Sequence, residues 1–140
     1  MLTTRRNLTL GLCLVLIANV ACSFSTANLS SLKLGKDKTV TQETSSFGAG
    51  DTIYAVAVVS NAPGKVKVKG RLAVEDVPGQ EKGPIPGLET TLDLAGSGTA
   101  TFTFSPPADG WPKGKYNVEA VMLNENGEQK DQKTASFTVN

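Results

Sequence analysis

The chain has 140 residues, of which 14 are Lys or Arg, 13 are Asp or Glu and none is His. That length suits a single domain, and a net charge of +1 lacks the basic excess of a nucleic-acid-binding surface. Without imidazole, every His-dependent triad, proton shuttle and zinc site is excluded. A hydrophobic content of 39% with 19% charged residues belongs to a folded chain, not a disordered one.

Arg5 and Arg6 precede Leu8 to Ala21, an almost wholly apolar run of 14 residues. As a helix this run would measure about 21 Å, short of a hydrocarbon core of about 30 Å. A basic start, a short apolar stretch and small residues before a cleavage point predict a secretory signal peptide over residues 1–21. Val20-Ala21-Cys22 at its end resembles the signal of bacterial lipoproteins, in which cleavage frees the Cys amino group and the thiol receives a diacylglyceryl chain. Asn19 departs from that pattern, where the family places an apolar residue. The resemblance implies Cys22 as the lipidation site and a membrane partner through the lipid. With Ser23 in place of Asp, it also implies an outer-membrane destination. The alternative is ordinary cleavage after Ser25-Thr26-Ala27, giving a secreted or periplasmic protein without Cys22. The paired arginines also resemble a twin-arginine signal, but no cofactor site is evident that would require export of a folded protein, and general secretion is the expectation.

Cys13 and Cys22 are the two cysteines. No disulfide can therefore form within residues 23–140, and packing alone must hold an exported domain. Residues 22–28 read as a short polar tether, and residues 29–140 as one domain in which apolar and polar residues alternate at period two. Leu29 to Leu34 and Thr39 to Thr44 are the weakest candidates, for a first edge strand split in two. Asp51 to Ser60 is apolar on both faces and predicts a central strand; the bulkier set, Tyr54, Val56 and Val58, is assigned to the core. Lys65 to Glu75 places Val66, Val68, Leu72 and Val74 on one face and Lys65, Lys67, Lys69 and Arg71 on the other. Pro78 to Gly87 is expected to be a loop, since its prolines and glycines oppose regular pairing. Leu88 to Leu94, Thr99 to Ser105, Lys115 to Asn124 and Lys133 to Asn140 complete the strands. Asn61 to Gly64 and Asn126-Gly127 read as turns, the second closing a hairpin.

Seven or eight short strands with this punctuation predict an all-β antiparallel sandwich. Pro112 to Val118, PKGKYNV, resembles the tyrosine corner of immunoglobulin-like domains, in which the hydroxyl of a Tyr opening the penultimate strand returns to upstream backbone. The resemblance, to bacterial immunoglobulin-like or fibronectin-type-III-like modules, implies that role for Tyr116. Val118 stands where antibody domains place a disulfide Cys.

Chemistry is sparse. No His can activate a Ser. Glu75-Asp76 and Glu89 with Asp93 are the nearest paired carboxylates, but each sits in or beside a strand and reads as surface charge. Asn124 to Glu128 is rich in oxygen ligands but lacks calcium-loop spacing. No enzyme activity, cofactor or metal is expected. Two candidate ligand surfaces stand out. The ridge Lys65, Lys67, Lys69 and Arg71 spans about 20 Å and could meet anionic lipid or glycan, or else protect a sheet edge from aggregation. Trp111, the single tryptophan, could stack on a sugar beside the 78–87 loop, or close the end of the sandwich. The leading expectation is a non-catalytic, lipid-anchored envelope module. The alternatives are a carbohydrate-binding or adhesion module using Trp111, and an accessory subunit or chaperone pairing through an edge strand such as Thr39–Thr44. An envelope protein or an anionic glycan is the partner expected beyond the membrane.

Overall fold

The computed structural model describes residues 26–140. The expected signal peptide, Cys13, Cys22 and the first part of the expected tether lie outside the described residues. Eight strands run in order: β1 Asn28–Gly35, β2 Ser46–Phe47, β3 Ile53–Ser60, β4 Val66–Asp76, β5 Gly83–Leu94, β6 Gly98–Phe104, β7 Gly114–Leu123 and β8 Gln129–Val139. They form two sheets, one ordered β1-β3-β6 and the other β2-β8-β7-β4-β5. All pairings are antiparallel except the two-residue β2, which runs parallel to β8. This is an immunoglobulin-like β-sandwich in which β5 joins the larger sheet beside β4 and leaves β6 without a second neighbour. Among the described residues, no helix is long and apolar enough to cross a membrane.

The core lies between the sheets, and alternation along each strand supplies it. β4 contributes Val66, Val68, Leu72 and Val74; β7 contributes Tyr116, Val118, Ala120 and Met122; β6 contributes Ala100, Phe102 and Phe104. Gly70 has a steric role here. A Cβ built on it would lie 2.5 Å from the Phe102 ring, so the two sheets approach closely only because β4 has no side chain at that point.

Three expectations are corrected. On β3 the buried residues are Ile53, Ala55, Ala57 and Val59, whereas Tyr54, Val56 and Val58 are half-buried on the outer face. Register decides this. Ala55 pairs with Phe102 and Ile53 with Phe104, so small β3 residues sit beside bulky β6 ones and fill the core jointly. Tyr54, Val56 and Val58 align with Thr103, Thr101 and Thr99 and share their solvent-facing side. Residues 39–44 form no strand. Asp37 ties this segment into a turn, accepting from Thr39 Oγ1 at 2.8 Å and from Thr41 N, and only the isolated bridge Gly35–Glu43 follows β1. The loop expected over 78–87 is strand from Gly83 onward, with Val74 paired to Gly83 and Ala73 to Pro84. An edge strand can accommodate Pro84 and Pro86 because one side needs no donors. The prolines and Gly87 still interrupt the ladder, since residues 85–88 have no partner on β4.

The β7–β8 hairpin turns at Gly127, which has φ 80°. Asn124 Oδ1 accepts from the backbone of Asn126 and Glu128, so this oxygen-rich segment spends one of its candidate ligands on its own turn.

Candidate functional site

The basic ridge lies on the outer face of the larger sheet. β4 sits between β7 and β5, so these cations do not guard a sheet edge as anticipated. Cross-strand neighbours supply opposite charge: Lys69 Nζ is 3.6 Å from Glu89, and Arg71 Nε donates to Glu119. Lys67 pairs in register with Asp93. Lys65 and Lys67 remain exposed. The ridge is therefore a charge-mixed face whose cationic character persists mainly at the Lys65 end. The solvent-exposed Lys69–Glu89 pair contributes about 0–1 kcal/mol, whereas the Arg71–Glu119 pair is part-buried.

Trp111 is only 4% exposed and offers no sugar-stacking face, which corrects that candidate. Its Nε1 donates to the Asp51 carbonyl at 2.8 Å, and its backbone N–H donates to Ala49 O at 2.8 Å. The Tyr116 hydroxyl donates to Pro112 O at 2.6 Å, looping the chain before β7 back onto itself. Burial pushes the Tyr116 phenol upward in pKa. Tyr116 stacks on Phe137 at 5.4 Å and meets Trp111 edge-on at 6.4 Å, while Phe47 meets Phe137 edge-on at 5.2 Å. This aromatic cluster closes the end of the sandwich. Asp51 anchors the same region through its carboxylate, which accepts from Gly48 N at 2.6 Å and pairs with Lys36 at 3.0 Å. The Gly48 hydrogen bond, followed by Lys36, holds the carboxylate below the usual range.

The chain enters the domain at the opposite end. Ala27 is already buried, and Thr26 Oγ1 donates to Asn61 O at 3.1 Å, so the sandwich takes up the last residues of the expected tether. The β3–β4, β5–β6 and β7–β8 turns cluster there, with Ala62 N donating to Ser97 Oγ at 2.9 Å. A cleft of about 490 Å³ at this end is lined by Lys65, Val66, Lys67, Asp93, Leu94, Ala95 and Glu125. A second, of about 310 Å³, lies by the aromatic cluster and includes Ile85, Leu88, Pro107 and Trp111. Between them runs β5, whose inward residues Leu88, Leu92 and Leu94 are half-buried, unlike the inward residues of β4 beside it. Nothing in the local sequence marks this strip, because its exposure results from the absence of a strand beyond β6. Among the described residues, no group of three or more His, Cys, Asp or Glu side chains is arranged to hold a metal ion.

No protein-family model matches the chain, and no curated protein matches it in sequence. Solved structures do show similarity. A Niemann-Pick type C2 protein from the Japanese carpenter ant aligns at 15% identity and TM-score 0.49, covering 81% of this chain and 92% of that one. The soluble domain of PmoD from a Methylocystis species aligns at 13% identity and TM-score 0.43, covering 78% and 89%. A β-glucosidase from Listeria innocua aligns at 15% identity and TM-score 0.49, covering 79% of this chain but 16% of the enzyme.

Proposed function

We propose that the chain is a non-catalytic binding module of the bacterial envelope, held to a membrane through a lipid on Cys22. The observation that carries this reading is the short path from Cys22 to the folded domain. Asn28, the first residue of β1, comes six positions after Cys22, a span of at most about 21 Å when extended. A diacylated and N-acylated Cys at that distance would hold the end bearing the β3–β4, β5–β6 and β7–β8 turns close to the lipid surface. Lys65 and Lys67 would lie on the membrane side, where each cation adds about 1 kcal/mol near anionic lipid. The aromatic end would face away, toward partners. More than one acyl chain is needed for stable attachment, since each buried methylene contributes about 0.8 kcal/mol. The sugar-binding alternative loses its platform with Trp111 buried.

Expression of the full chain and of Cys22→Ala, followed by fractionation and intact-mass analysis, tests the anchor. The wild-type chain should sediment with membranes and carry the added mass of its acyl chains, and the variant should lose both. Equal fractionation and equal processing of the two would overturn the proposal.

A further inference from the structure

We infer that the free edge of β6 is a docking site for an extended segment of another protein, which would add a fourth strand to the smaller sheet. This rests on the domain being a binding module, but not on the lipid. β6 pairs only with β3, so every second residue of Gly98–Phe104 directs its backbone N–H and C=O outward. Among the described residues, no hydrogen bond from turns, loops or side chains caps these groups. The other side of the smaller sheet is treated differently. There Leu29 N donates to Asp131 Oδ2 and Thr44 N donates to Leu34 O, so β1 is blocked at both ends by its own chain. Proteins usually protect an edge with Lys, Pro or a bulge, and β5 carries Pro84 and Pro86. The β6 sequence GTATFTF carries no charge and no proline, and its pairing with β3 runs without a register shift.

The second observation is the floor beside that edge. Gly70 of β4 lies under Phe102 of β6, so β6 sits over β4, and β5 projects one strand further out with no strand above it. Leu88, Leu92 and Leu94 therefore form an apolar shelf beneath the space next to β6. The turn 95–97 closes this groove at the tether end. A strand hydrogen-bonded to β6 would set alternate side chains on the shelf and the others in line with Thr99, Thr101 and Thr103. The occupant is thus an extended segment with an apolar residue at every second position, about 23 Å long to match β6. A second copy does not fit. In an antiparallel β6–β6 pair, each larger sheet would occupy the other's space at β5; in a parallel pair, the shelf would face threonines.

The experiment uses the full chain in detergent and a random nine-residue peptide library displayed on phage. Enriched peptides should alternate apolar and polar residues. Hydrogen exchange should slow at least tenfold in β6 when they bind, and Thr90→Lys, an exposed shelf position paired with Gly70, should weaken binding at least tenfold. Lack of enrichment, protection of β1 or β8 instead of β6, or equal binding to a folded Thr90→Lys variant would each overturn the inference. The exchange map needs no variant, and binding without the lipid separates this result from that of the Cys22→Ala experiment.

Discussion

The indole N–H of Trp111 and the backbone carbonyl of Asp51 form a 2.8 Å hydrogen bond across 60 residues of sequence. It fastens the segment before β7 to the segment before β3, joining the two sheets at the far end of the domain. Trp111→Phe would keep a ring in place but leave that carbonyl unpaired, at a cost of about 1–2 kcal/mol. Trp111→Ala, which also empties the site, should cost about 3–5 kcal/mol. Urea titration measures both. Wild-type fluorescence should be blue-shifted and resistant to iodide, and should shift to the red on unfolding.

The Asp51 side chain predicts an acid limb. Its folded pKa lies below the ordinary value of 3.8, so the unfolded chain takes up the proton first as pH falls. The stability this carboxylate contributes is complete above that ordinary value and is lost as pH drops through the folded pKa. Asp51→Asn should lower the neutral-pH urea midpoint and flatten its decline on acidification. Lys36→Met should do the same less strongly, since the Gly48 hydrogen bond is the larger cause. Asp37, lowered by its bond from Thr39, leaves a residual slope in both variants.

Tyr116 predicts the alkaline limb. Burial raises the phenol above its ordinary pKa of 10.0, so the unfolded chain ionises first as pH rises. Stability is intact below that value and declines as pH approaches the folded pKa. Tyr116→Phe should cost about 0.5–1.5 kcal/mol at neutral pH through the lost hydrogen bond to Pro112, and should remove part of the alkaline decline. Urea midpoints across the alkaline range check both effects.

Gly70→Ala should destabilise by about 1–3 kcal/mol, because its methyl group meets the Phe102 ring. Combining it with Phe102→Leu should cost less than the sum of the two single changes. A double-mutant cycle in urea measures that coupling.

Strand existence was readable from alternation because one face of each strand is wet, as the lysines of β4 and the threonines of β6 advertise. The phase of β3 was not. It turns on which residues stand beside Phe102 and Phe104, a matter of register and not of the bulk of Tyr54 or Val56. β5 was half hidden, since the prolines that disrupt pairing at 85–88 do not prevent an edge strand from continuing through them. Tyr116 carried a local signature in PKGKYNV. The burial of Trp111 had none, because its partners Ala49 and Asp51 are remote in sequence. The shelf beside β6 was invisible for a similar reason: Leu88, Leu92 and Leu94 look like ordinary core residues until the opposite sheet ends one strand short.

The direction in which β1 leaves the domain has a mechanical consequence. Asn28 stands at the end where the described chain enters the sandwich and Gly35 at the other, with seven registered pairs to β3 along β1. A load applied to the far end of an anchored molecule would draw β1 along its own axis, across hydrogen bonds that lie perpendicular to the pull. Such a ladder must slide as a unit instead of opening one bond at a time. The arrangement resists traction along β1, and force spectroscopy should find the domain stronger when pulled from its N-terminal side against the far end than when β1 is peeled sideways.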